Sequence, residues 1–453
     1  MTKTAITELP TTTGPVFQPG DTGYDAEIAG FQTAYTHRPA VVVGAAHAED
    51  VRAAVEYAAR HGLPIAVQAT GHGLSVATDG GVLITTRRLT DVKVDAEQRT
   101  ARIGAGVQAG ALIEAAAAHG LAPLNGSSLS VGVVGYILGG GMGILAREYG
   151  YAAEYVKAIE MVTADGRLRR LTPGDELFGA VLGTGGNFGV VTALELELLP
   201  ITHVYGGQLQ FDTPLVAPAL EAWRLWTQDV PEQMTSAITM LTIPNIPQVP
   251  EHLRGKYTAT INIAFTGTEE EGERLVAPLR AVGARMADDL RVMPYTDSHA
   301  IYRDPDSPHP YTATNALLSE LPADATDAFL EATGPESPLP VVAGFRHLGG
   351  ALGRRGPNGI AMDHRDAEYV ARVIAMPGPD AEAIRDGLAN IRKTLQPWEI
   401  GHNLNFLYGG GDQADEEQTK GGYSPETYER LASLKAKYDP TNLFRNNRNI
   451  RPN

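Results

Sequence analysis

The sequence predicts an α+β protein in two parts, and three observations carry that reading. A β-α-β pattern follows Arg38; glycine-rich stretches recur around residues 70, 140 and 185; and beyond Pro200 strand-like segments alternate with longer helices. At 453 residues and 43% hydrophobic content, the chain can bury one large core or two to three smaller ones. Its 50 glycines and 30 prolines suit a loop-rich mixed fold rather than a helical bundle.

The formal net charge of −16 argues against nucleic acid or an anionic membrane as partner. The chain has no cysteine, which excludes disulfides, thiolate nucleophiles and cysteine–zinc sites. No apolar leader core opens it and no apolar run reaches the length of a membrane span, so the expectation is a cytoplasmic protein.

Residues 1–34 are polar and dotted with proline, becoming weakly helical over 24–35, and are expected as a leader on the surface. A strand at 41–43, an amphipathic helix at 49–61 stopped by Gly62, and a strand at 64–68 form one β-α-β unit. That unit delivers the chain to Ala69-Thr70-Gly71-His72-Gly73-Leu74-Ser75, whose backbone N–H groups suit an anion-binding nest. His72 in its middle reads either as a surface turn residue or as a functional one.

Strands follow at 81–84, 92–94 and 100–103, then an alanine-rich helix at 107–119 closed by Gly120. The stretch SSLSVGVVGYILGGGMG, residues 127–143, holds six glycines and no charge, as suits main chain lying against a ligand. It is not a dinucleotide fingerprint, which directly follows a strand and is answered by an acidic residue about 20 positions on. A strand at 157–163, an Asp165-Gly166 turn and a strand at 168–171 read as a hairpin, and a third glycine loop at 183–192 enters the strand 193–198.

The second part reads as an α+β unit on an antiparallel sheet, with strands at 208–211, 237–241, 259–265, 341–345 and 369–375. Helices are expected at 215–228 and 269–282, the latter opened by Glu269-Glu270-Glu271, where the helix dipole favours negative charge. Residues 297–310 read as an exposed loop, and a helix at 425–437 closes the chain.

Four pieces together carry a resemblance: Thr70-Gly71-His72; Val131-Gly132 through Leu138-Gly139-Gly140-Gly141-Met142-Gly143; Gly185-Gly186-Asn187-Phe188-Gly189-Val190-Val191-Thr192; and Lys437-Tyr438-Asp439-Pro440 with Phe444-Arg445-Asn446-Asn447. In this order and spacing the chain resembles the FAD-linked oxidases of the vanillyl-alcohol-oxidase superfamily, in the berberine-bridge-enzyme branch and most like its short bacterial members. The resemblance implies a PCMH-type FAD-binding domain over 1–205, a substrate domain over 206–398, and a segment over 399–453 that completes the FAD domain.

It also implies that Ala69, Thr70, Gly71, His72, Gly73 and Leu74 wrap the FAD pyrophosphate, with His72 bonded covalently to the flavin 8α-methyl carbon. Ser128 stands where many members carry a cysteine bonded to flavin C6, so a single tether is expected. Ser127, Ser128, Val131, Gly132, Gly135, Gly139, Gly140 and Gly143 are expected along the pyrophosphate and the flavin edge. Val190 and Val191 would meet the cofactor through main chain, and Asn405 and Asn447 from the C-terminal segment. Valine at 131 goes with access of dioxygen to the flavin.

The implied reaction is oxidation of a C–H bond next to oxygen or nitrogen in a small molecule, with dioxygen reduced to hydrogen peroxide. Tyr149 matches a tyrosine that helps deprotonate the substrate in plant members. Arg372 falls where the family usually carries an acid or amide, and Asn403 where plant members carry a tyrosine. His347 and Tyr408 are further candidates for the base, or structural hydrogen-bonded residues. Arg346 and Arg372 suit either an anionic or phenolate substrate, or ion pairs within the sheet. No metal-ligand spacing occurs. Two other readings stand beside the oxidase: a dehydrogenase with another electron acceptor, separated by the lack of peroxide, and a drug-binding resistance protein, separated by a tight complex without turnover.

Overall fold

The parallel pairing of Val41–Gly44 and Ile65–Gln68 on either side of Val82–Thr85 organises the first part of the chain. In this computed structural model, which describes residues 9–408 and 416–453, Val16–Phe17 adds an antiparallel edge strand to make four. The helix Ala48–His61 crosses between the parallel strands, with Glu49 and Asp50 in its first turn and Arg60 and His61 in its last, and stops at Gly62 at φ 63°. Val51, Ala54, Val55 and Ala58 bury its apolar stripe against Val41, Val43 and Ile84.

The leader lies partly on this sheet. Tyr24–Ile28 is its helix, shorter than expected, and Tyr24 and Ile28 are buried against Val42, Ala66 and Leu83. Residues 1–8 of the expected leader fall outside the described chain.

A five-stranded antiparallel sheet follows, in the order Val92–Asp95, Thr100–Gly104, Val190–Glu197, Val156–Val162, Leu168–Leu171. Its hairpin turns at Asp165 and Gly166, the glycine at φ 73°. Part of the glycine stretch is helical. Val133–Leu138 forms a short helix, because Val133, Val134, Ile137 and Leu138 have an apolar core to enter. The preceding alanine-rich helix is Ala109–Ala117.

The third sheet is antiparallel and nine-stranded. Its main path runs Ala287–Asp288, His203–Phe211, Tyr257–Phe265, Met234–Thr242, Val341–His347, Tyr369–Ala375, Thr312–Leu318, Glu399–Gly401, with Arg291–Pro294 also on His203–Phe211. Strand alternation gives this sheet two unlike faces. Leu209, Ile261, Ile238, Phe345, Ala371 and Ala316 share one face, in register across six strands, and pack with Trp223, Val276, Phe329 and Ile391 of the covering helices. Gln208, Asn262, Arg346, Arg372 and Asn315 lie on the other.

Thr312–Leu318 and the helices Ala323–Thr333 and Ala381–Lys393 were not expected from the sequence. Residues 297–310 are not wholly an exposed loop. Tyr295–Ile301 is a 3₁₀ helix with Tyr295, Ser298 and Ile301 buried, held by amides of Gln208 and Asn262 that donate to the Ile301 carbonyl at 3.1 and 2.7 Å.

The C-terminal helix Pro425–Tyr438 returns the chain to the first sheet. Lys435, fully buried, pairs with Asp439 at 2.8 Å and donates to the carbonyls of Asn187 and Phe444. Asp439 accepts the backbone N–H groups of Leu443 and Phe444, and the Leu443 carbonyl receives the Ile65 N–H at 2.9 Å. The tail is thereby bound to both the first sheet and the third glycine loop.

Candidate active site

The carboxyl end of Ile65–Gln68 opens into the loop 69–75, the position at which open α/β sheets receive ligands. Main-chain bonds from Phe31 and Gln32 to the carbonyls of Thr70 and Gly71 fix this loop. Thr70 Oγ1 receives the Gly132 N–H at 3.2 Å and so joins it to the glycine stretch. Between these loops, the tail and the polar face of the large sheet lies a cleft with an empty volume of about 2340 Å³.

His72 stands at its wall. Its ring stacks on Phe31 with centroids 3.6 Å apart, its Nε2 lies 2.9 Å from Ser130 Oγ, and its carbonyl receives the Tyr311 hydroxyl at 2.6 Å. Ser130 Oγ in turn lies 3.1 Å from Ser128 Oγ. Burial pushes the His72 imidazole down to about 4, so it is neutral at physiological pH.

The geometry of the cleft suits FAD. A Cβ added at Gly73, Gly135, Gly185 or Gly186 would meet no atom within 4 Å, so these four residues border open space. Asn447 Oδ1 is buried, has no hydrogen-bond partner among the described residues, and its residue belongs to the lining. A neutral histidine, glycine walls and an unpaired amide oxygen fit a large polar cofactor lying against main chain.

Of the residues expected at the cofactor, Ala69, Thr70, Gly71, His72, Gly73 and Leu74 line the cleft, as do Ser127, Ser128, Val131, Gly132 and Gly135. Val190, Val191, Asn405 and Asn447 line it too. Gly139, Gly140 and Gly143 do not, and close packing accounts for them. A Cβ on Gly139 would fall 1.8 Å from Asn405 Nδ2, one on Gly140 (φ 96°) 2.6 Å from Met362 Sδ, and one on Gly143 2.6 Å from the Asn125 carbonyl. Their smallness shapes the wall from behind.

The four catalytic candidates divide equally. Arg372 and Tyr408 line the cleft, Tyr408 edge-on to Tyr311 at 5.2 Å. His347 pairs with Tyr369 in the sheet and stacks on it at 5.5 Å, on the helix-covered face opposite Arg346. Burial first, then the Arg147 charge, pushes it down to about 2. Tyr149 packs on the core away from the cleft, raised to about 12 by burial and by Glu148.

The cleft also takes in Tyr136, Asp304, His309, Tyr311, Phe406 and Arg448, which the sequence reading did not single out. For Phe406 a signal existed, since it directly follows Asn405. Asp304 and His309 lie in the stretch read as a surface loop, and only the sheet brings that stretch over the cleft.

Comparison with known proteins fits this geometry. The family model described as FAD binding domain matches residues 39–172, and that described as berberine and berberine-like matches residues 413–451. (R)-6-hydroxynicotine oxidase of Paenarthrobacter nicotinovorans is 28% identical, covering 97% of each chain. The crystal structure of 6-hydroxy-D-nicotine oxidase from Arthrobacter nicotinovorans superposes with a TM-score of 0.85 at 27% identity, covering 98% of this chain and 99% of that one. Glucooligosaccharide oxidase from Acremonium strictum, whose FAD is 6-S-cysteinyl and 8α-N1-histidyl, shares the fold at a TM-score of 0.85 and 20% identity, over 97% of each chain.

Fold and cleft thus define a flavoprotein oxidoreductase with a PCMH-type FAD-binding fold. Within that class, the chain is similar in kind to FAD-linked oxidases of the berberine-bridge-enzyme-like branch, as its two family-model matches and its nicotine-oxidase relative indicate. No described helix is long and apolar enough to cross a membrane.

Proposed function

We propose that the protein oxidises a C–H bond adjacent to oxygen or nitrogen in a small secondary metabolite, amine or sugar, with its flavin held by one covalent bond to His72. FAD, when bound, would supply the hydride acceptor and the route of its electrons to dioxygen, with hydrogen peroxide as the second product. The observation that carries the reading is His72 itself, neutral and fixed between Phe31 and Ser130 beside glycines that face open space.

The chain's own groups divide the work. The hydrogen bond at Nε2 leaves Nδ1 as the nitrogen for the flavin bond. Ser128 is a hydroxyl in a chain without cysteine, so no thioether to flavin C6 would join the histidyl C–N bond. Val131 lines the cleft and is the side chain beside which dioxygen would pass. Tyr408, in the cleft lining, is the acid–base group we assign to the substrate O–H or N–H. Arg372 stays cationic and cannot serve as the base, so its part is to hold charge. Residues 1–205 with 399–453 would hold the cofactor, and 206–398 would face the substrate.

The test is acid precipitation of the wild type and of His72→Ala. Flavin that stays with the wild-type chain and leaves the variant supports the tether. Flavin released from wild type sinks the covalent bond and leaves a non-covalent FAD enzyme. Peroxide release on addition of substrate in air then separates an oxidase from a dehydrogenase.

A further inference from the structure

Arg346 and Arg372 occupy adjacent strands on the polar face of the large sheet. Arg346 pairs with Val370 and Arg372 with Gly344, one diagonal step apart, which sets their Cα atoms about 7–8 Å from each other. Both line the cleft. Arg372 lies 4.3 Å from the centroid of Phe406; Arg346 lies 5.4 Å from the same ring and 4.9 Å from that of Tyr302. Gln208 donates to the carbonyls of Ile301 and Tyr302, and Asn262 to that of Ile301, which fixes the Tyr302 end of this stack.

These rings orient the guanidinium groups and supply no countercharge. Among the described residues neither arginine has an ion-pair or hydrogen-bond partner. Other shielded arginines in this chain are matched: Arg88 to Glu27, Arg102 to Glu160, Arg365 to Glu154 and Arg392 to Glu399, while Arg147 donates to three carbonyls. Asp304 is the one carboxylate among the described lining residues, and it accepts from the Ser127 hydroxyl rather than from either arginine. Burial, and then the Arg346 charge, push the Arg372 guanidinium below its ordinary range. Two shielded like charges without a partner are costly, and an anion between them repays that cost.

We propose that Arg346 and Arg372 form a carboxylate-recognition site, so that the substrate is an aromatic or otherwise unsaturated organic acid; this rests on the oxidase reading above. Two guanidinium forks match the planar carboxylate, and Tyr311, Phe406 and Tyr408 in the lining suit a flat body attached to it. A protonated amine would be repelled at the same place.

The test uses the purified flavoprotein. Benzoate and naphthalene-2-carboxylate are titrated by calorimetry and by perturbation of the flavin spectrum, each against its neutral amide. The carboxylates are expected to bind at least about tenfold more tightly than the amides, with affinity falling as salt rises. Arg346→Met and Arg372→Met should each lower carboxylate affinity at least about tenfold with flavin content unchanged, and Arg372→Lys should recover only part.

Equal binding of acid and amide by the wild type overturns the proposal, and that comparison needs no variant to fold. Unchanged carboxylate affinity in both variants overturns it as well. So does an Arg372→Met variant whose flavin spectrum or potential moves while benzoate affinity holds, since the pair then serves the cofactor. Phenyl phosphate binding more tightly than benzoate would make the site one for phosphoryl groups and also overturn it. A wild type without flavin that still selects carboxylates would sink the oxidase reading and keep the arginine site.

Discussion

Asn405 donates its side-chain amide to the carbonyl of Gly139 at 2.6 Å, joining positions 266 residues apart. The bond fixes a residue of the cleft lining through a glycine that is not itself part of that lining. Asn403 Oδ1 accepts the Asn405 N–H at 2.9 Å, and the Asn403 N–H donates to Asn315 on the large sheet. Three remote segments therefore agree on one side chain.

Gly139→Ala should displace Asn405 rather than the backbone, since the three atoms nearest the added carbon all belong to that side chain. The expected cost is about 1 kcal/mol of stability for the lost bond, with a larger loss in flavin loading or turnover. Combined with Asn405→Ala, it should cost little more than Asn405→Ala alone, because both remove one interaction. Denaturant melts and flavin-to-protein ratios check this. Fully additive effects would contradict it.

Covalent attachment should tolerate acid. With the His72 imidazole pushed down to about 4 by burial, the neutral, nucleophilic form persists well below the ordinary histidine value of about 6.5. The rate of flavin incorporation into apoprotein should therefore hold between pH 7 and 5 and decline only toward 4. A midpoint near 6.5 would show that the ring is not shielded as the structure has it. Ser130→Ala, which removes the partner of Nε2, should slow the same step.

Folding stability should fall with acid on the histidine account. His37 and His402 are each lowered to about 4 and His347 to about 2, in every case chiefly by burial. The unfolded chain takes up these protons first as pH falls below about 6.5, so stability present above that value is lost progressively toward 4, and for His347 toward 2. Each such histidine contributes a slope of about 1.4 kcal/mol per pH unit within its window. Melting temperatures of wild type and His347→Phe at pH 7 and pH 5 should show a smaller drop for the variant. Because His347 faces away from the cleft, its flavin content should not change.

Lys435→Met should destabilise the chain by about 3–5 kcal/mol, since it leaves Asp439 buried and unpaired. The tail it anchors carries Asn447 to the cleft, so flavin loading should fall with stability. Adding Asp439→Asn should recover part of both, measured by thermal melts and flavin absorbance. A neutral outcome for Lys435→Met would mean that the tail is held by its other bonds.

Much of this was legible in local sequence. The short continuous apolar runs at 41–43 and 82–84, the helix stop at Gly62 and the Asp165-Gly166 turn act through neighbours in the chain, and they stand where the sequence puts them. The loop holding His72 follows directly from the strand before it. What the chain alone could not decide was direction and distance. Gly139, Gly140 and Gly143 look the same in sequence as Gly132 and Gly135, yet only the latter two border the cleft, because Asn405, Met362 and Asn125 come from elsewhere to fill the space behind. Arg346 and His347 are adjacent in sequence and face opposite ways, since a strand alternates and only the packed helices determine which side is core. The sequence determined the class of cofactor and singled out His72 as the residue proposed to hold it. Tertiary structure decided which charges stand unpaired around it, because pairing depends on strands that meet only once the large sheet has closed.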